Sequence, residues 1–149
     1  MRQLTAVALA FGLSACASAG SAPSDADVRA RLDTQLQAMV QTVLAGNVDG
    51  YLGNFAPDGQ MVLTNVTGPD GEPLNVNLTG QEQIRAFMSQ IPAPPELTMN
   101  VTSFRRDATD ATQSGQWSIG GAQIGTFQLD WRRTSADVWQ VRVFRFDGS

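Results

Sequence analysis

The spacing of apolar residues predicts one long helix near the start of the chain. After Ser24 the apolar positions recur every three or four residues, which is typical of a helix with one buried face. These positions are Val28, Leu32, Leu36, Met39, Val40, Val43 and Leu44. Ser24 and Asp27 have the spacing of an N-terminal cap with an acidic residue in the first turn, and Gly46 suits the C-terminal end. We therefore expect a helix between Ser24 and Gly46.

Shorter segments follow, in which the pattern changes from helical to alternating. Residues 47–55 predict a second, short helix, and the Pro-Asp-Gly sequence at 57–59 predicts a turn. Residues 60–66, QMVLTNV, alternate between apolar and polar side chains and are rich in β-branched residues, which predicts a strand. After a turn at 69–72, the segment PLNVNLT predicts a shorter strand.

The second half of the chain predicts one more helix and then strands. In TGQEQIRAFMSQI, Thr79 and Glu82 have capping-box spacing, and PAPP at 92–95 ends the helix. Four segments with strand-like patterns follow: ELTMNVTSFRR, ATQSGQWSIGG, IGTFQLDWRR and VWQVRVFRFDG. The predicted order is α-α-β-β-α-β-β-β-β. Consecutive strands with short turns favour an antiparallel meander, and the helices of the first half favour an α+β fold in which one curved sheet wraps around them.

An uncharged, mostly apolar run precedes the first helix. Residues 4–13 are too few to span a bilayer, which takes about 20 residues, but they have the length of the apolar region of a signal peptide. The LSAC sequence that ends at Cys16 resembles the lipobox of bacterial lipoproteins. The resemblance implies cleavage before Cys16, attachment of diacylglycerol to its thiol, and an outer-membrane lipoprotein of the bacterial cell envelope that faces the periplasm.

Two other interpretations of the N-terminal segment stay open in the sequence. An ordinary signal peptidase could cut at an A-x-A site that ends at Ala19 and discard Cys16, or the segment could be a buried helix. Under the lipoprotein interpretation, residues 1–15 are the signal peptide, residues 16–24 are the lipidated cysteine and a flexible tether, and residues 25–149 are one domain. The chain has one cysteine, so it offers no pair for an intramolecular disulfide.

The composition removes several kinds of chemistry. The 149 residues include no histidine, and the ten basic residues are all arginine. Without histidine there is no Ser-His-Asp or Cys-His relay and no histidine ligand for a metal, and without lysine there is no Schiff base. The net charge of −4 and the scattered arginines argue against nucleic acid as a partner. We expect neither a cofactor nor a metal site.

Three segments resemble the cone-shaped α+β barrel superfamily, which includes nuclear-transport-factor-like proteins, polyketide cyclases of the SnoaL type and ketosteroid isomerase. They are AGNVDGYLGNFAPDGQMVL, TGQEQIRAFMSQI and GTFQLDWRRTSADVWQVRVF, within about residues 25–147. The resemblance implies a curved, mostly antiparallel sheet around about three helices, with an apolar pocket at the open end of the cone. It also implies that a homodimer would form through the outer sheet face, which exposed aromatic residues such as Trp139 and Phe146 would suit.

Ketosteroid isomerase moves a proton with a carboxylate base and holds the developing oxyanion with a tyrosine and a protonated carboxylic acid. The resemblance places the base at Leu63, the tyrosine at Met39 and the acid at Leu129. All three residues are apolar in this chain. The resemblance in fold therefore does not extend to the catalytic residues of the isomerase.

Asp130 and Tyr51 are the other candidates for catalysis. Asp130 lies in an otherwise apolar strand, so it is either a buried carboxylate with a perturbed pKa or the partner of a neighbouring arginine, Arg142 or Arg145. We favour the ion pair. Tyr51, the single tyrosine of the chain, is expected at the edge of the core.

Apolar residues on several predicted elements form a candidate ligand pocket. They are Met39, Leu63, Trp117, Phe127, Leu129, Trp131 and Phe144. Packing of a filled core would explain the same residues. Three functions therefore stay open: a domain that binds a small apolar ligand or a protein partner, which we favour; an enzyme of the cyclase, isomerase or hydratase kind that uses a carboxylate such as Asp130; and an assembly subunit with a filled core.

Overall fold

A computed structural model describes residues 22–135 and 137–149. The predicted signal peptide and Cys16 lie outside the described residues. The helices are α1 (Asp25–Leu44), α2 (Val48–Leu52) and α3 (Gln81–Met88). The strands are β1 (Phe55–Thr67), β2 (Pro73–Thr79), β3 (Leu97–Arg106), β4 (Asp110–Ile119), β5 (Ala122–Ser135) and β6 (Val138–Gly148). This is the element order that the sequence predicts.

The described strands form one sheet in the order β2-β1-β6-β5-β4-β3. β3 to β6 make the predicted antiparallel meander, and β2 pairs antiparallel with β1. β1 and β6 pair in parallel, which places Leu63 beside Phe146. The predicted α+β class, with a curved and mostly antiparallel sheet around helices from the first half of the chain, is confirmed.

Helix α1 begins and ends close to the predicted residues. The Ser24 hydroxyl accepts a hydrogen bond from the Asp27 amide at 3.1 Å, and the Asp27 carboxylate accepts one from the Ser24 amide at 3.1 Å. The same hydroxyl donates to that carboxylate at 2.7 Å, and these bonds lower the pKa of Asp27. At the other end, Gly46 directly follows the cap residue Ala45 with a φ of +65°, a conformation that glycine adopts without strain.

The predicted turn at 57–59 is wrong. β1 already begins at Phe55, and its register against β6 shifts between Phe55 and Gln60, so these residues form a bulge within the strand. Gly59 is needed there, because a Cβ atom would come within 3.0 Å of the Val141 carbonyl oxygen. The Pro-Asp-Gly sequence therefore bends a strand and does not end one.

The predicted cap of α3 is also wrong. Thr79 is the last residue of β2, and Gly80, with a φ of +83°, occupies the N-cap position without a side-chain hydrogen bond. The Thr79 amide donates to the side-chain oxygen of Gln83 at 2.9 Å. The N-cap position therefore lies one residue later than predicted, at a glycine that has no side chain to cap the helix.

The core lies between the helices and the inner face of the sheet. Its fully buried apolar side chains are Leu32, Leu36, Met39, Leu52, Phe55, Ile84, Leu129, Trp131, Val141 and Phe144. Gln113 on β4 is equally buried, and its side-chain oxygen accepts a hydrogen bond from Trp131 Nε1 at 2.8 Å. The Gln113 side-chain nitrogen donates to the Asp33 carboxylate at 2.6 Å. These bonds tie α1 to β4 and β5 through groups that would be costly to bury unpaired.

Candidate functional site

The helices leave a cavity against the inner face of the sheet. It has a volume of about 360 Å³ and lies between the C-terminal half of α1, the sheet and the segment that follows α3. The α1 wall consists of Leu36, Met39, Val40 and Val43. The sheet contributes Met61, Leu63, Val66, Leu97, Met99, Trp117, Ile119, Phe144 and Phe146. This volume falls within the range of small-molecule sites in proteins.

Two chain segments form the rim of the cavity. Residues 91–95, Ile-Pro-Ala-Pro-Pro, all line it, and so do residues 67–69 at the end of β1. Pro92, Ala93 and Pro95 are exposed to solvent, so the cavity opens beside them. The prolines fix the backbone of this segment and provide apolar surface without amide hydrogens, which leaves few polar groups at the entrance.

The lining of the cavity is almost entirely apolar. Among the described residues, none that lines it carries a charged side chain, and the polar side chains are those of Tyr51, Thr67 and Trp117. On the sheet side, the ring of Phe146 lies 4.3 Å from that of Phe144 and 5.4 Å from that of Trp117, between centroids. This surface suits an uncharged, apolar molecule.

Methionines make up a notable share of the lining. Met39, Met61, Met88 and Met99 all line the cavity, and they come from α1, β1, α3 and β3 respectively. The chain has five methionines, of which Met1 is the fifth. Because the unbranched thioether side chain can change its rotamer at low cost, this lining can adapt to ligands of different shapes. This clustering has no signal in the sequence, since Met61, Met88 and Met99 each look like ordinary core positions.

The structure brings together part of the predicted pocket. Met39, Leu63, Trp117 and Phe144 line the cavity, as expected. Met39 and Leu63 are also the positions that the isomerase resemblance assigns to the tyrosine and the base; the position assigned to the acid, Leu129, does not line the cavity.

The other predicted pocket residues, Phe127, Leu129 and Trp131, do not line the cavity. They lie on β5 and are at most 2% exposed, within the packed core. The Trp131 indole is held by its hydrogen bond to Gln113, and the ring of Phe127 packs edge-on against Phe144 at 6.2 Å. Strand alternation placed these residues on the correct face of the sheet, but it does not show which part of that face the helices cover.

Asp130 lies on the opposite face of β5 from the cavity. Its carboxylate accepts hydrogen bonds from Arg145 at 2.7 Å, from the Thr112 hydroxyl at 3.1 Å and from the Gln128 side chain at 3.1 Å. The predicted ion pair is confirmed, with Arg145 and not Arg142 as the partner. Asp130 does not line the cavity, and its carboxylate is engaged by these three partners.

The two aromatic residues expected on the outer face lie elsewhere. Trp139 is 5% exposed and belongs to the core, and Phe146 lines the cavity. Among the described residues, Val138 is the large apolar side chain that is exposed. The homodimer therefore stays a prediction without the aromatic support that the sequence suggested.

Tyr51 lies deeper than predicted. It is 3% exposed and lines both the cavity and an adjoining pocket of about 130 Å³. Burial raises the pKa of Tyr51 well above its usual value, so the phenol stays protonated at any physiological pH. The side chain is positioned by α2, and its ring packs against Phe55 with a centroid distance of 5.2 Å.

Residues 22–135 and 137–149 offer neither a metal-binding cluster nor a membrane-spanning helix. They contain no group of three or more His, Cys, Asp or Glu side chains that could hold a metal ion. None of the helices in this part of the chain is both long and apolar enough to cross a bilayer.

Solved structures share this architecture. An NTF2-like protein of unknown function from Shewanella oneidensis superposes with a TM-score of 0.63 at 14% identity, over 80% of this chain and 98% of that chain. A domain of unknown function with a cystatin-like fold from Nostoc punctiforme gives a TM-score of 0.64 at 14% identity, over 85% and 80% of the two chains. A protein from Novosphingobium aromaticivorans, named as a candidate aromatic ring hydroxylase, gives 0.58 at 16% identity, over 80% and 87%.

These likenesses establish that the chain has the NTF2-like cone fold. Identities this low concern the fold alone, because the same cone supports many unrelated functions. No protein-family model and no curated protein matches the sequence.

Proposed function

We propose that this protein binds a small, uncharged apolar ligand in its cavity and is held at a bacterial membrane by a lipid on Cys16. The observation that carries the binding function is a cavity of about 360 Å³ with no charged side chain among the described residues that line it. A filled core, as an assembly subunit would have, leaves no such space.

The character of the lining favours binding over proton-transfer catalysis. Isomerases and cyclases need a group that takes up a proton near neutral pH. Neither an aspartate nor a glutamate from the described residues lines the cavity, and Tyr51 keeps its proton because burial raises its pKa. Apolar ligands, in contrast, gain free energy in proportion to the area that they remove from water.

The lipid anchor would join the domain at the start of α1, whereas the cavity lies against the second half of that helix. The tether would join the domain at Asp25, which pairs with Arg106 at 3.4 Å, and the Pro23 carbonyl oxygen accepts a hydrogen bond from Arg106 at 3.0 Å. The cavity begins at Leu36, in the second half of the 20-residue helix α1. A helix of this length spans about 30 Å, so the cavity would lie towards the end of α1 that is distant from the tether.

The binding function is tested with N-phenyl-1-naphthylamine, a neutral apolar dye whose fluorescence rises in apolar surroundings. Leu63→Trp fills part of the cavity and should weaken dye binding by roughly tenfold or more. Val62→Trp is the matched control, because Val62 is the neighbouring strand residue and does not line the cavity. Thermal unfolding shows whether both variants fold. Equal dye affinity in the wild type and in Leu63→Trp would contradict the proposal.

The anchor is tested separately in cells. Cys16→Ser should move the protein from the membrane fraction to the soluble fraction, whereas Ser18→Ala should leave it at the membrane. Retention of Cys16→Ser in the membrane fraction would rule out the lipid link without affecting the binding proposal.

A further inference from the structure

We infer that the rim of the cavity is a docking surface for a protein that presents basic and aromatic side chains. The inference goes beyond the proposed ligand binding and does not depend on what the cavity holds. It starts from the distribution of charge along the chain. Residues 46–99 contain six acidic residues and one arginine, whereas in residues 25–45 and 100–149 eight aspartates balance eight arginines. The net negative charge of residues 25–149 therefore comes from the segment that forms α2, β1, β2, α3 and the rim.

Three of these acidic residues adjoin the rim. Gly68 lines the cavity, and a Cβ atom at this position would lie 3.1 Å from a carboxylate oxygen of Asp70. The Glu72 carbonyl oxygen accepts a hydrogen bond from the Gly68 amide at 2.8 Å, so the turn that carries both acids is compact. Next to the second rim segment, Glu96 directly follows the lining residue Pro95. All three acidic residues are exposed to solvent.

The carboxylates at the rim have no basic partner in the part of the chain that the structure describes. Asp70, Glu72 and Glu96 take part in none of the ion pairs formed there. The single arginine of residues 46–99, Arg85, pairs with Asp49. The rim therefore carries negative charge that only a group from outside residues 22–135 and 137–149 would neutralise.

Apolar surface lies beside these carboxylates. Pro69, Pro92, Ala93 and Pro95 line the cavity and are exposed to solvent. Pro92 and Pro95 have the spacing of proline-rich segments that dock against aromatic side chains. A partner surface that combines lysine or arginine with aromatic residues matches this arrangement, because its basic groups pair with the acids and its rings pack on the prolines.

The charge of the rim disfavours the other occupants of such a surface. A second copy that met the first through the same rim would bring the carboxylates of both copies together, and like charges in contact oppose association. A bilayer with anionic lipids has a negative surface potential, and nucleic acid is a polyanion, so both would be repelled. A basic protein surface is the occupant that the charge favours.

Short peptides test the docking surface by NMR titration of the wild-type protein. The peptide Lys-Trp-Lys-Trp-Lys should shift backbone amide signals within residues 67–72 and 91–97. A peptide with serine in place of tryptophan and one with glutamate in place of lysine should each bind roughly tenfold more weakly. Binding of the basic peptide should also weaken at high salt, because exposed ion pairs are screened.

A triple variant removes the charge of the rim at nearly constant volume. Asp70→Asn combined with Glu72→Gln and Glu96→Gln should weaken the Lys-Trp peptide by roughly five- to tenfold. A control variant removes the same charge from exposed positions outside the rim segments, and it should keep the wild-type affinity within about twofold. Its substitutions are Asp58→Asn, Glu82→Gln and Asp107→Asn. Thermal unfolding shows that both triple variants fold.

Photo-crosslinking in cells tests for a partner at the same place. Benzoylphenylalanine in place of the exposed rim residue Ala93 should capture a protein through a basic segment, identified by mass spectrometry. The capture should be lost in the triple rim variant and kept in the control variant. The same group in place of Thr126, which is exposed on β5 and does not line the cavity, should not capture that protein.

Several results would overturn the inference. They are equal peptide affinity in the rim and control variants, signal changes confined to other parts of the protein, and equally tight binding of the glutamate peptide. In cells, crosslinks from position 93 to a second copy or to lipid alone, or no crosslink at all, would do the same. None of these results bears on dye binding, which tests the proposed function separately.

Discussion

Arg145 donates a hydrogen bond of 2.7 Å to the carboxylate of Asp130 on the outer face of the sheet, away from the cavity. The side chain of Asp130 is 11% exposed and that of Arg145 is 42% exposed, so the pair is partly shielded from solvent. The ion pair indicates that Asp130 stabilises the sheet. It also leaves the cavity without a carboxylate from β5.

Asp130→Asn should therefore lower the free energy of unfolding by about 1–2 kcal/mol, since it removes a partly buried charge pair but keeps most of the volume. Urea unfolding measures this change. Asp147→Asn, on the neighbouring strand and exposed, should change the stability by less than about 0.5 kcal/mol. Binding of the naphthylamine dye should be unaffected in both variants, and a loss of binding in folded Asp130→Asn would contradict the assignment.

The hydrogen bonds of Gln113 predict a larger loss of stability than the one expected for Asp130→Asn. Gln113→Ala would leave Trp131 Nε1 and the Asp33 carboxylate without their partner and would open a small void in the core. We expect a loss of about 2–4 kcal/mol in the free energy of unfolding. Gln116→Ala, an exposed position on the same strand, is the control and should be nearly neutral. Similar stabilities of the two variants would show that the Gln113 bonds contribute little.

The pH dependence of stability offers a test of Tyr51. In the unfolded chain the phenol loses its proton near its usual pKa of about 10, but in the folded protein burial keeps the proton bound to higher pH. Above pH 10 the unfolded state therefore binds fewer protons than the folded state, and the free energy of unfolding falls as pH rises, by up to about 1.4 kcal/mol per pH unit. Below pH 10 the phenol of Tyr51 is protonated in both states, so it causes no change of the free energy of unfolding with pH.

The composition of the chain allows a loss of stability above pH 10 to be assigned to Tyr51. The chain has one tyrosine and no lysine, so no other side chain has its usual pKa between 10 and 12. Urea unfolding at pH 9, 10 and 11 should show a decline for the wild type and a flat profile for Tyr51→Phe. Parallel declines in both proteins would mean that another process, and not the buried phenol, causes the loss.

The sequence predicted the fold well because local patterns determine it. The cap at Ser24, the periodicity of α1 and the alternation of the strands each follow from neighbouring residues, and all agree with one element order. The partner of Asp130 was also within reach, because register between adjacent strands limits the choice to nearby arginines. The turn at 57–59 failed because the same residues that make turns also make bulges.

The cavity was predicted only in part, because its shape depends on contacts between distant segments. Alternation assigns Leu129 and Trp131 to the inner face, but the bond between Gln113 and Asp33 that ties α1 to the sheet there has no local signal. The rim at 91–95 looked like a helix terminator, although its prolines also form a wall. Tyr51 looked like an edge residue because a single aromatic on a short helix gives no period.

The methionine lining predicts a broad range of ligands. Met61 and Met99 face the cavity from β1 and β3, and both can move to fit ligands of different width. Met61→Leu combined with Met99→Leu keeps a similar volume but a stiffer, branched shape, so stability should change by less than about 1.5 kcal/mol. In calorimetric titrations, the wild type should bind anthracene more tightly than naphthalene, because the larger ligand buries more apolar area. The double variant should bind naphthalene with wild-type affinity but should bind anthracene no more tightly than naphthalene. Identical affinity profiles for the two proteins would show that the cavity has a fixed shape and that the methionines act only as apolar filler.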